Sequence, residues 1–410
     1  MTNYVKKGVV QPLTQESRPL PNPEQDDTLS LDSFSSAHVQ DLICFSHLRW
    51  NFVYQRPQHL LSQASGHFRV WFWEEPLLDN RAWLEVRTIQ AQLHILVPHF
   101  PADCDADTQQ ELQRRWLNEL RAQHQINHFV TWYYTPMALA FSDHLRPRLT
   151  VYDCMDELSA FRDAPPQLRQ LESQLLSRAQ LVFTGGHSLF EAKQALHPAV
   201  HAFPSSIDRQ HFGEARRGLA DPADQQWLDY PRIGFSGVID ERLDSTLLKE
   251  LARRRPDWHF VLLGPVVKID PATLPQGPNL HYLGMKPYEQ LPAYFSNWQV
   301  ALLPFALNES TRFISPTKTP EYLAAGLPVV STPIRDVVNS YGDCGPVWIA
   351  DRVGSFERAI QAALKLQPGS SWSQIDAQLA QSSWQKTWED MHRLMLEKVH
   401  MQPQNHSQYE

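Results

Sequence analysis

The chain has 410 residues, of which 42% are hydrophobic, and its formal net charge at pH 7 is −8. This length exceeds the size at which a single hydrophobic core stops growing, so we expect two domains. The negative charge argues against a general nucleic-acid-binding protein. The cysteines lack any CxxC spacing, which indicates neither a zinc site nor a disulfide framework and fits a reducing cytoplasm.

Residues 1–38 are rich in Pro, Gln, Ser and Asp, and this composition predicts a disordered leader. After it, short apolar runs alternate with helical patterns, which predicts βαβ units around a parallel sheet. The predicted strands of this first series are 42–45, 70–73, 93–97, 128–132, 149–152 and 181–184. Helices are predicted at 108–124 and 167–178, where leucines recur at helical spacing.

A second alternating series predicts strands at 233–235, 260–263, 280–283, 300–304 and 327–330. The sequence therefore predicts an α/β protein of two Rossmann-like, doubly wound domains. We expect a first domain at 39–205, a hinge and linker at 206–230, and a second domain at 231–383. The last helix, 384–400, places Trp384, Trp388, Met391 and Met395 on one face and is expected to dock on the first domain.

The segment 312–331, RFISPTKTPEYLAAGLPVVS, predicts a helix start that can bind an anion. Thr319 is a predicted N-cap, with Glu321 in the first turn and Gly326 ending the helix. Free amide groups at such a start suit a phosphate, and Lys318 adds positive charge. Glu321 supplies a carboxylate that can accept hydrogen bonds from a ribose diol. The alternative is an ordinary capped helix that leads into a strand.

This segment resembles the donor-binding segment of retaining, group 1 (family 4-like) glycosyltransferases of the GT-B architecture, in which two Rossmann-like domains face each other across a cleft. The resemblance implies that Glu321 holds the nucleotide ribose and that amides near Thr319 face the donor diphosphate. It also implies donor contacts for Arg312, Ser315 and Thr317. The family often carries a glutamate at the position of Phe313, which puts the contacts to the donor sugar in doubt.

The segment 234–244, GFSGVIDERLD, resembles the glycine loop of the same family. Gly237 is then a donor-loop residue, and Arg242 matches the family's lysine position for the diphosphate. The family's arginine position is occupied by Val238. Lys268, after the next strand, is a further candidate for the diphosphate, and a solvated lysine is the alternative.

The first predicted strand is followed by SHLRWNFVYQRPQHLL at 46–61, and loops after strands of such sheets bind ligands. Arg49 and Arg56 are candidates for clamping a phosphate or carboxylate, with His47 beside them, and Trp50 for stacking on a sugar. A surface loop with incidental arginines is the alternative. The segment resembles the first loop of bacterial polysaccharide-type glycosyltransferases.

Another strand end, VYDCMDELSAF at 151–161, carries Asp153 and Asp156. These carboxylates are candidate catalytic groups that orient an acceptor hydroxyl or accept its proton. An acidic helix start is the alternative. The Gly185–Gly186 pair is expected to let backbone approach a ligand, and His187 is either a ligand contact or a capping residue.

A competing metal-dependent class is suggested by DCDAD at 103–107, whose DxD spacing can hold Mg²⁺ or Mn²⁺. Acidic residues at a helix start explain the same letters without a metal. The two-domain pattern favours that second interpretation, and we expect no metal and no cofactor.

The resemblance implies transfer of a sugar, with retention, from a nucleoside-diphosphate sugar to a saccharide or polyprenyl-linked acceptor in surface polysaccharide biosynthesis. We expect a cytoplasmic protein, and peripheral contact with the inner face of the membrane stays open. Two alternatives also stay open. One is a catalytically inactive nucleotide-binding homologue, because of Phe313 and Val238, and the other is a sugar-nucleotide epimerase of the same architecture.

Overall fold

The structure is a computed structural model that describes residues 39–366 and 370–401. The described chain forms two mainly parallel β-sheets, each covered by helices on both faces. The predicted leader at 1–38 lies outside the described residues.

The first sheet has nine strands within the described residues. They are β1 (Asp41–Phe45), β2 (Arg69–Trp73), β3 (Leu77–Leu78), β4 (Trp83–Gln90), β5 (Leu93–Phe100), β6 (Phe129–Tyr133), β7 (Leu149–Cys154), β8 (Leu181–Thr184) and β9 (Val200–Ala202). Their order is β3-β5-β2-β1-β6-β7-β8-β9, and β4 pairs with β5 as the antiparallel exception. The carboxyl ends of β2, β1, β6 and β7 therefore meet at one edge.

The second sheet has six strands in the same part of the chain, in the order β12-β11-β10-β13-β14-β15, and all of their pairings are parallel. The strands are β10 (Arg232–Ser236), β11 (His259–Leu263), β12 (Leu280–Gly284), β13 (Val300–Leu303), β14 (Val329–Ser331) and β15 (Val347–Ile349). The strand order changes direction at β10, which places a topological switch point beside that strand.

Helices connect these strands, as parallel pairing requires. They are α1 (Arg56–Ala64), α2 (Ala106–Gln123), α3 (Leu139–Ser142), α4 (Leu168–Arg178), α5 (His187–Lys193), α6 (Arg209–Gly213), α7 (Ser245–Arg254), α8 (Leu291–Phe295), α9 (Lys318–Ala324), α10 (Arg335–Tyr341), α11 (Val353–Ala363), α12 (Ser370–Leu379) and α13 (Trp384–Met401).

Alternate residues of the central strands enter different cores, which is why these strands are apolar throughout. In β1, Leu42 and Cys44 face one core, and Ile43 and Phe45 face the other. In β10 the residue between two core positions is Gly234, where an added Cβ would lie 2.0 Å from the Trp298 ring. The indole of Trp298 occupies the space that any side chain there would need.

The last helix, α13, returns to the first sheet. Trp384, Trp388, Met391 and Met395 are buried in the same core cluster as Leu42 of β1. The Trp384 ring also stacks on His59 of α1, with ring centroids 4.5 Å apart. The apolar face that the sequence predicts is thus the face that packs on the first sheet.

The predicted α/β fold of two doubly wound sheets is confirmed, and every predicted strand overlaps an observed one. The strands that the sequence did not indicate are β3, β4, β9 and β15. Three of these have only two or three residues, and β4 is an antiparallel edge strand with exposed polar positions. Such strands carry too little apolar pattern to be recognised.

We predict that Trp388→Ala lowers the free energy of unfolding by about 3–5 kcal/mol, because truncating a fully buried tryptophan leaves a cavity under α13. Trp227→Ala is the matched control, since Trp227 is 65% exposed, and we expect a change within about 0.5 kcal/mol. Urea unfolding of both variants measures the difference. Equal unfolding midpoints for the two variants would contradict the packing of α13 on the first sheet.

Candidate functional site

A cavity of about 400 Å³ lies between the loop after β1 and the loops of the second sheet. The first-domain side contributes residues 51–54. The second-domain side contributes Ser236 and Gly237 after β10, Gly264 after β11, Met285 to Glu289 after β12, and Lys318 of α9. The cavity therefore opens at the carboxyl ends of β10, β11 and β12, where ligands of open α/β sheets bind.

Close backbone packing shapes the floor of this cavity. The Gly237 amide donates to the carbonyl of Leu263 at 2.9 Å. Gly264 has a φ of +143°, and an added Cβ would lie 1.8 Å from the Gly237 carbonyl oxygen. Only glycine fits at that position. Tyr322 of α9 fixes the same loop, because its hydroxyl accepts a hydrogen bond from the Ser236 amide at 2.7 Å.

The helix start in the segment 312–331 differs from the prediction by two residues. Helix α9 begins at Lys318, with Thr317 at the N-cap position, so the predicted N-cap Thr319 is inside the helix. The Thr319 amide donates to the Pro316 carbonyl at 3.3 Å and is not free for an anion. Gly326, with a φ of +81°, follows the C-cap as predicted.

Lys318 and Glu321 form an ion pair at the wall of the cavity, with Nζ and Oε2 separated by 2.7 Å. Both side chains are nearly buried, at 11% and 6% exposure. Burial raises the pKa of the Glu321 carboxyl, and the Lys318 ammonium opposes that shift. A carboxylate has acceptor capacity beyond one ammonium, so the pairing does not exhaust Glu321.

Arg242 is bound within its own loop. Its guanidinium donates to both carboxylate oxygens of the buried Asp240, with the shortest contact at 2.7 Å. The same guanidinium lies 5.3 Å from the centre of the Phe161 ring, which follows β7 of the first sheet. Arg242 thus contacts the first domain across the gap between the two domains, which we call the cleft. A bound phosphate would have to share the Arg242 guanidinium with Asp240.

Lys268, after β11, also lies over the Phe161 ring, with its ammonium 5.2 Å from the ring centre. Its φ is +60°, an uncommon conformation for a residue other than glycine. Among the described residues, no carboxylate oxygen lies within 4.0 Å of the Lys268 nitrogen. Lys268 is therefore a cleft cation without an internal counter-ion at contact distance.

The remaining predicted donor residues lie between the domains or in solvent. Arg312 is 64% exposed and pairs with Glu309 at 3.6 Å. Ser315 contacts the first domain, since its carbonyl accepts from the Ser205 hydroxyl at 3.4 Å. Phe313, which stands where the family often has glutamate, packs against a core of the first domain.

The first-domain candidates Arg56 and Asp153 are bound to each other. The Arg56 guanidinium donates to both oxygens of Asp153, with contacts between 2.8 and 3.1 Å, and the two side chains are 2% and 0% exposed. A further guanidinium nitrogen donates to the Phe203 carbonyl at 2.8 Å. The roles of Arg56 as a phosphate clamp and of Asp153 as a catalytic group stay predictions, and in this structure the two buried side chains are each other's partners.

Arg49 and Trp50 also have structural contacts. Arg49 donates to the carbonyls of Glu75 and Pro76 at 3.0 and 2.9 Å, which ties the loop after β1 to the loop after β2. Trp50 is 9% exposed, and its ring packs edge-on against Phe72. Trp50 thus packs in the core of the first domain, and its predicted stacking on a sugar stays a prediction.

His47 and Asp156, which follow strands β1 and β7, are both partly buried. Burial and the nearby Lys268 charge lower the pKa of His47 to about 4, so its ring is neutral at pH 7. Burial raises the pKa of Asp156 to about 6, against the opposing effect of Arg242. A carboxyl group tuned toward neutral pH suits proton transfer.

The glycine pair before α5 accommodates the second domain. An added Cβ at Gly186 would lie 2.3 Å from Asp336 of α10 and 2.6 Å from Ser315. Asp336 accepts a hydrogen bond from the Ser188 amide at 3.1 Å, which caps α5 from the opposite domain. The group next to Gly186 in this structure is thus a carboxylate of the chain, and the predicted approach of a ligand stays a prediction. His187 is exposed.

The DxD segment starts a helix. Asp105 is the N-cap of α2, and its carboxylate accepts from the Thr108 amide at 2.9 Å and from the Thr108 hydroxyl at 2.7 Å. This geometry agrees with the second interpretation of the segment, in which its acidic residues start a helix. No helix in the described part of the chain is long and apolar enough to cross a membrane.

The sequence did not single out an aromatic contact between two tyrosines that line the cavity. Tyr54 after β1 and Tyr288 after β12 lie with ring centroids 4.6 Å apart, and Tyr288 stacks on His211 at 4.2 Å. The sequence analysis also did not single out Glu75. Burial raises the pKa of the Glu75 carboxyl, and the positive charge of Lys268, across the cleft, opposes that shift. A tyrosine in an otherwise ordinary loop gives no signal of a partner that is more than 200 residues away in the chain.

Comparison with known proteins agrees with this geometry. Residues 231–365 match the family of group 1 glycosyl transferases. A sucrose-phosphate synthase from Thermosynechococcus elongatus superimposes with a TM-score of 0.64 at 14% identity, over 87% of this chain and 98% of that one. A UDP-forming alpha,alpha-trehalose-phosphate synthase from Burkholderia xenovorans, in complex with glucose-6-phosphate, gives 0.62 at 11% identity, over 87% and 100%.

A protein of Bacillus subtilis (strain 168), assigned to teichuronic acid biosynthesis as the glycosyltransferase TuaH, is 26% identical over 219 residues. The match covers 49% of this chain and 54% of that protein, so it spans about half the length of the relative.

The two sheets and the cleft between them define the GT-B fold of glycosyltransferases. Within that fold, the part of the chain that resembles group 1 glycosyl transferases is the second domain. The predicted resemblance to group 1 glycosyltransferases of the GT-B type is thereby confirmed.

We predict that Arg56→Ala lowers the free energy of unfolding by about 3–5 kcal/mol, because it leaves the Asp153 carboxylate buried without a partner. The double variant Arg56→Met/Asp153→Leu should recover most of that loss, because it removes both charges. Arg115→Ala, at a side chain that is 61% exposed, is the surface control. Chemical unfolding measures all three. Normal stability of Arg56→Ala together with lost nucleotide affinity would instead support a phosphate-binding role.

Proposed function

We propose that this chain is a retaining glycosyltransferase that moves a sugar from a nucleoside-diphosphate sugar to a hydroxyl of a saccharide or lipid-linked acceptor. The observation that carries the proposal is the cavity between the two domains, whose walls combine a glycine-lined floor, Lys318 and the loop after β1. The family of the second domain and the UDP-forming fold relative support a nucleoside diphosphate as the leaving group.

In the proposed reaction, the acceptor oxygen forms a bond to the anomeric carbon while the bond from that carbon to the diphosphate oxygen breaks. Lys318, Lys268 and Arg242 stabilise the charge that develops on the leaving diphosphate. Glu321 accepts hydrogen bonds from the ribose and keeps Lys318 oriented. These three cations supply the neutralisation for which other transferases use a divalent metal, so we propose a metal-independent reaction without a cofactor.

The hydroxyl proton of the acceptor has two proposed destinations, a diphosphate oxygen or the Asp156 carboxylate. Asp156 lies after β7, on the first-domain side, opposite Arg242 and Lys268. The relative assigned to teichuronic acid biosynthesis supports an acceptor in bacterial surface polysaccharide assembly. We propose that the transfer takes place at the inner face of the membrane. An acceptor of that kind is a saccharide chain or its polyprenyl-linked precursor.

A second candidate function is an inactive nucleotide-binding homologue. Arg242 is held by Asp240, and Phe313 packs on the first domain where the family often has a glutamate. An inactive homologue would bind a nucleoside diphosphate and release none from a nucleotide sugar. A sugar-nucleotide epimerase, by contrast, would consume the nucleotide sugar with no acceptor and return an isomer.

The test is to incubate the full chain with UDP-, GDP- and ADP-sugars and a panel of saccharide acceptors, in EDTA and in Mg²⁺, and to measure nucleoside diphosphate release. We expect one nucleotide to be released in EDTA and the anomeric configuration of the product, read by NMR, to match that of the donor. Inversion, a strict need for metal, or an isomerised donor would each contradict the proposal.

We predict that kcat/KM falls as the pH falls below about 6, because Asp156 is then protonated and no longer accepts a proton. Asp156→Asn should remove this acid limb and lower kcat by about 10²-fold or more. Asp163→Asn is the control, since it removes an exposed carboxylate of the same segment from a left-handed position that asparagine tolerates. An unchanged rate and pH profile in Asp156→Asn would assign the proton to the diphosphate.

A further inference from the structure

Tyr288 is a wall residue of the cavity, and its ring is held by other rings of the chain. It stacks on His211 of α6, with ring centroids 4.2 Å apart and ring planes at 13°. Tyr54 of the first domain lies 4.6 Å away at 30°. His59 and Phe212 pack at steep angles, each with a centroid distance of 5.5 Å. The hydroxyl is therefore the polar group that this side chain can offer to a ligand.

The hydroxyl of Tyr288 is buried without a partner. Among the residues that the structure describes, no group forms a hydrogen bond with its Oη atom. Nearby tyrosines differ in this respect, because Tyr282 donates to the Pro275 carbonyl at 2.9 Å and Tyr294 to Asp224 at 2.7 Å. A buried hydroxyl without a partner is unfavourable, so a ligand atom that accepts its hydrogen bond would be stabilised in the cavity.

Helix α6 links Tyr288 to the ion pair of α9. The His211 ring of α6 donates from Nε2 to the Tyr288 carbonyl at 3.0 Å, and α6 packs on α9. Lys318 of α9 lines the same cavity as Tyr288, and its ammonium holds Glu321 at 2.7 Å. Burial raises the pKa of the Tyr288 hydroxyl, and the negative charge of Glu321 adds to that effect. The phenol and the carboxylate thus belong to the same part of the cavity wall.

The two groups have complementary hydrogen-bonding roles. The Tyr288 hydroxyl keeps its proton at neutral pH and donates, whereas the Glu321 carboxylate accepts. Lys318 uses part of the acceptor capacity of Glu321 at Oε2, and the rest stays available. A ligand hydroxyl satisfies both groups, because it donates to the carboxylate and accepts from the phenol. A phosphate oxygen without a proton cannot donate, and its charge repels the carboxylate.

We propose that Tyr288 and Glu321 together bind the ribose diol of the donor, with Tyr288 as the hydrogen-bond donor and Glu321 as the acceptor. The inference rests on the proposed function, in which Glu321 binds the ribose, and it adds Tyr288 as a specificity-determining residue. A site whose buried polar groups bind a substrate hydroxyl rejects an analogue that lacks it, because those groups then stay unpaired. The donor class is therefore a ribonucleoside-diphosphate sugar, and donors built on a 2′-deoxyribonucleotide are rejected.

The first test is isothermal titration of UDP, GDP and ADP into the full chain, with and without Mg²⁺. The 2′-deoxy and 3′-deoxy analogues of the nucleotide that binds are then titrated in the same buffer. We expect each analogue to bind at least about tenfold more weakly, as the loss of one hydrogen bond to a buried group implies. Base and phosphates are the same in all three ligands, so equal affinity for either analogue overturns the inference.

The second test is Tyr288→Phe, which removes the hydroxyl and keeps a ring beside Tyr54 and His211. We expect the Kd of the ribonucleotide to rise about tenfold. For the analogue that lacks the hydroxyl bound by Tyr288, the same substitution should leave Kd unchanged. The Tm of the free variant should not fall, because no hydrogen bond within the described chain is lost. An equal rise in Kd for the ribonucleotide and both analogues would place Tyr288 on the base or the phosphates and overturn the inference.

Tyr282→Phe is the matched control, since it removes a tyrosine hydroxyl of β12 that already has a partner in the Pro275 carbonyl. We expect its Tm to fall and its Kd for the ribonucleotide to stay unchanged. The proposed function fails separately, because the unaltered chain would then bind none of UDP, GDP and ADP. A ribonucleotide that binds the unaltered chain and Tyr288→Phe equally well contradicts the inference alone.

Discussion

The buried ion pair between Arg56 and Asp153 is the contact on which the first-domain side of the cleft depends. It joins the start of α1 to the end of β7, and Arg56 also holds the Phe203 carbonyl in the connection to the second domain. His47 lies in the loop that leads to α1, and Asp156 lies three residues beyond Asp153. The pair therefore fixes the two segments that carry His47 and Asp156. Two desolvated charges are tolerated there because each satisfies the other.

On the second-domain side of the cleft, charged side chains are also paired with each other. Lys318 is held by Glu321 and Arg242 by Asp240, so these two cations have carboxylates of the chain as partners. The chain has an excess of carboxylates, with a net charge of −8. Because each of the two cations is paired with one of these carboxylates, it can lie nearly buried without a ligand. An entering diphosphate would have to share or replace those carboxylates. Within residues 39–366 and 370–401, Lys268 has no such partner at contact distance, which makes it the cation most readily available to a ligand.

The sequence predicted the elements well, and it predicted fewer of the contacts between them. The central strands were recognised because both of their faces are buried and their residues are apolar throughout. The segment 312–331 reaches the cavity through Lys318, and its role as an anion site stays a prediction. Thr319 was predicted as the N-cap, whereas α9 begins at Lys318. Polar residues at strand ends look alike in a sequence. Whether Arg56 binds a ligand or Asp153 depends on a partner almost 100 residues away, and local pattern carries no information about it.

We propose above all that the cleft binds a nucleoside diphosphate without metal through Lys318, Glu321 and their neighbours. Isothermal titration of UDP, GDP and ADP into the full chain in EDTA, repeated with Glu321→Ala, tests this claim most directly. We expect one of the three nucleotides to bind with one-to-one stoichiometry, and its affinity to fall about tenfold or more in the variant, since a charged hydrogen-bond acceptor for the ribose is removed. Binding that requires Mg²⁺, or equal affinity in the variant, would contradict the account.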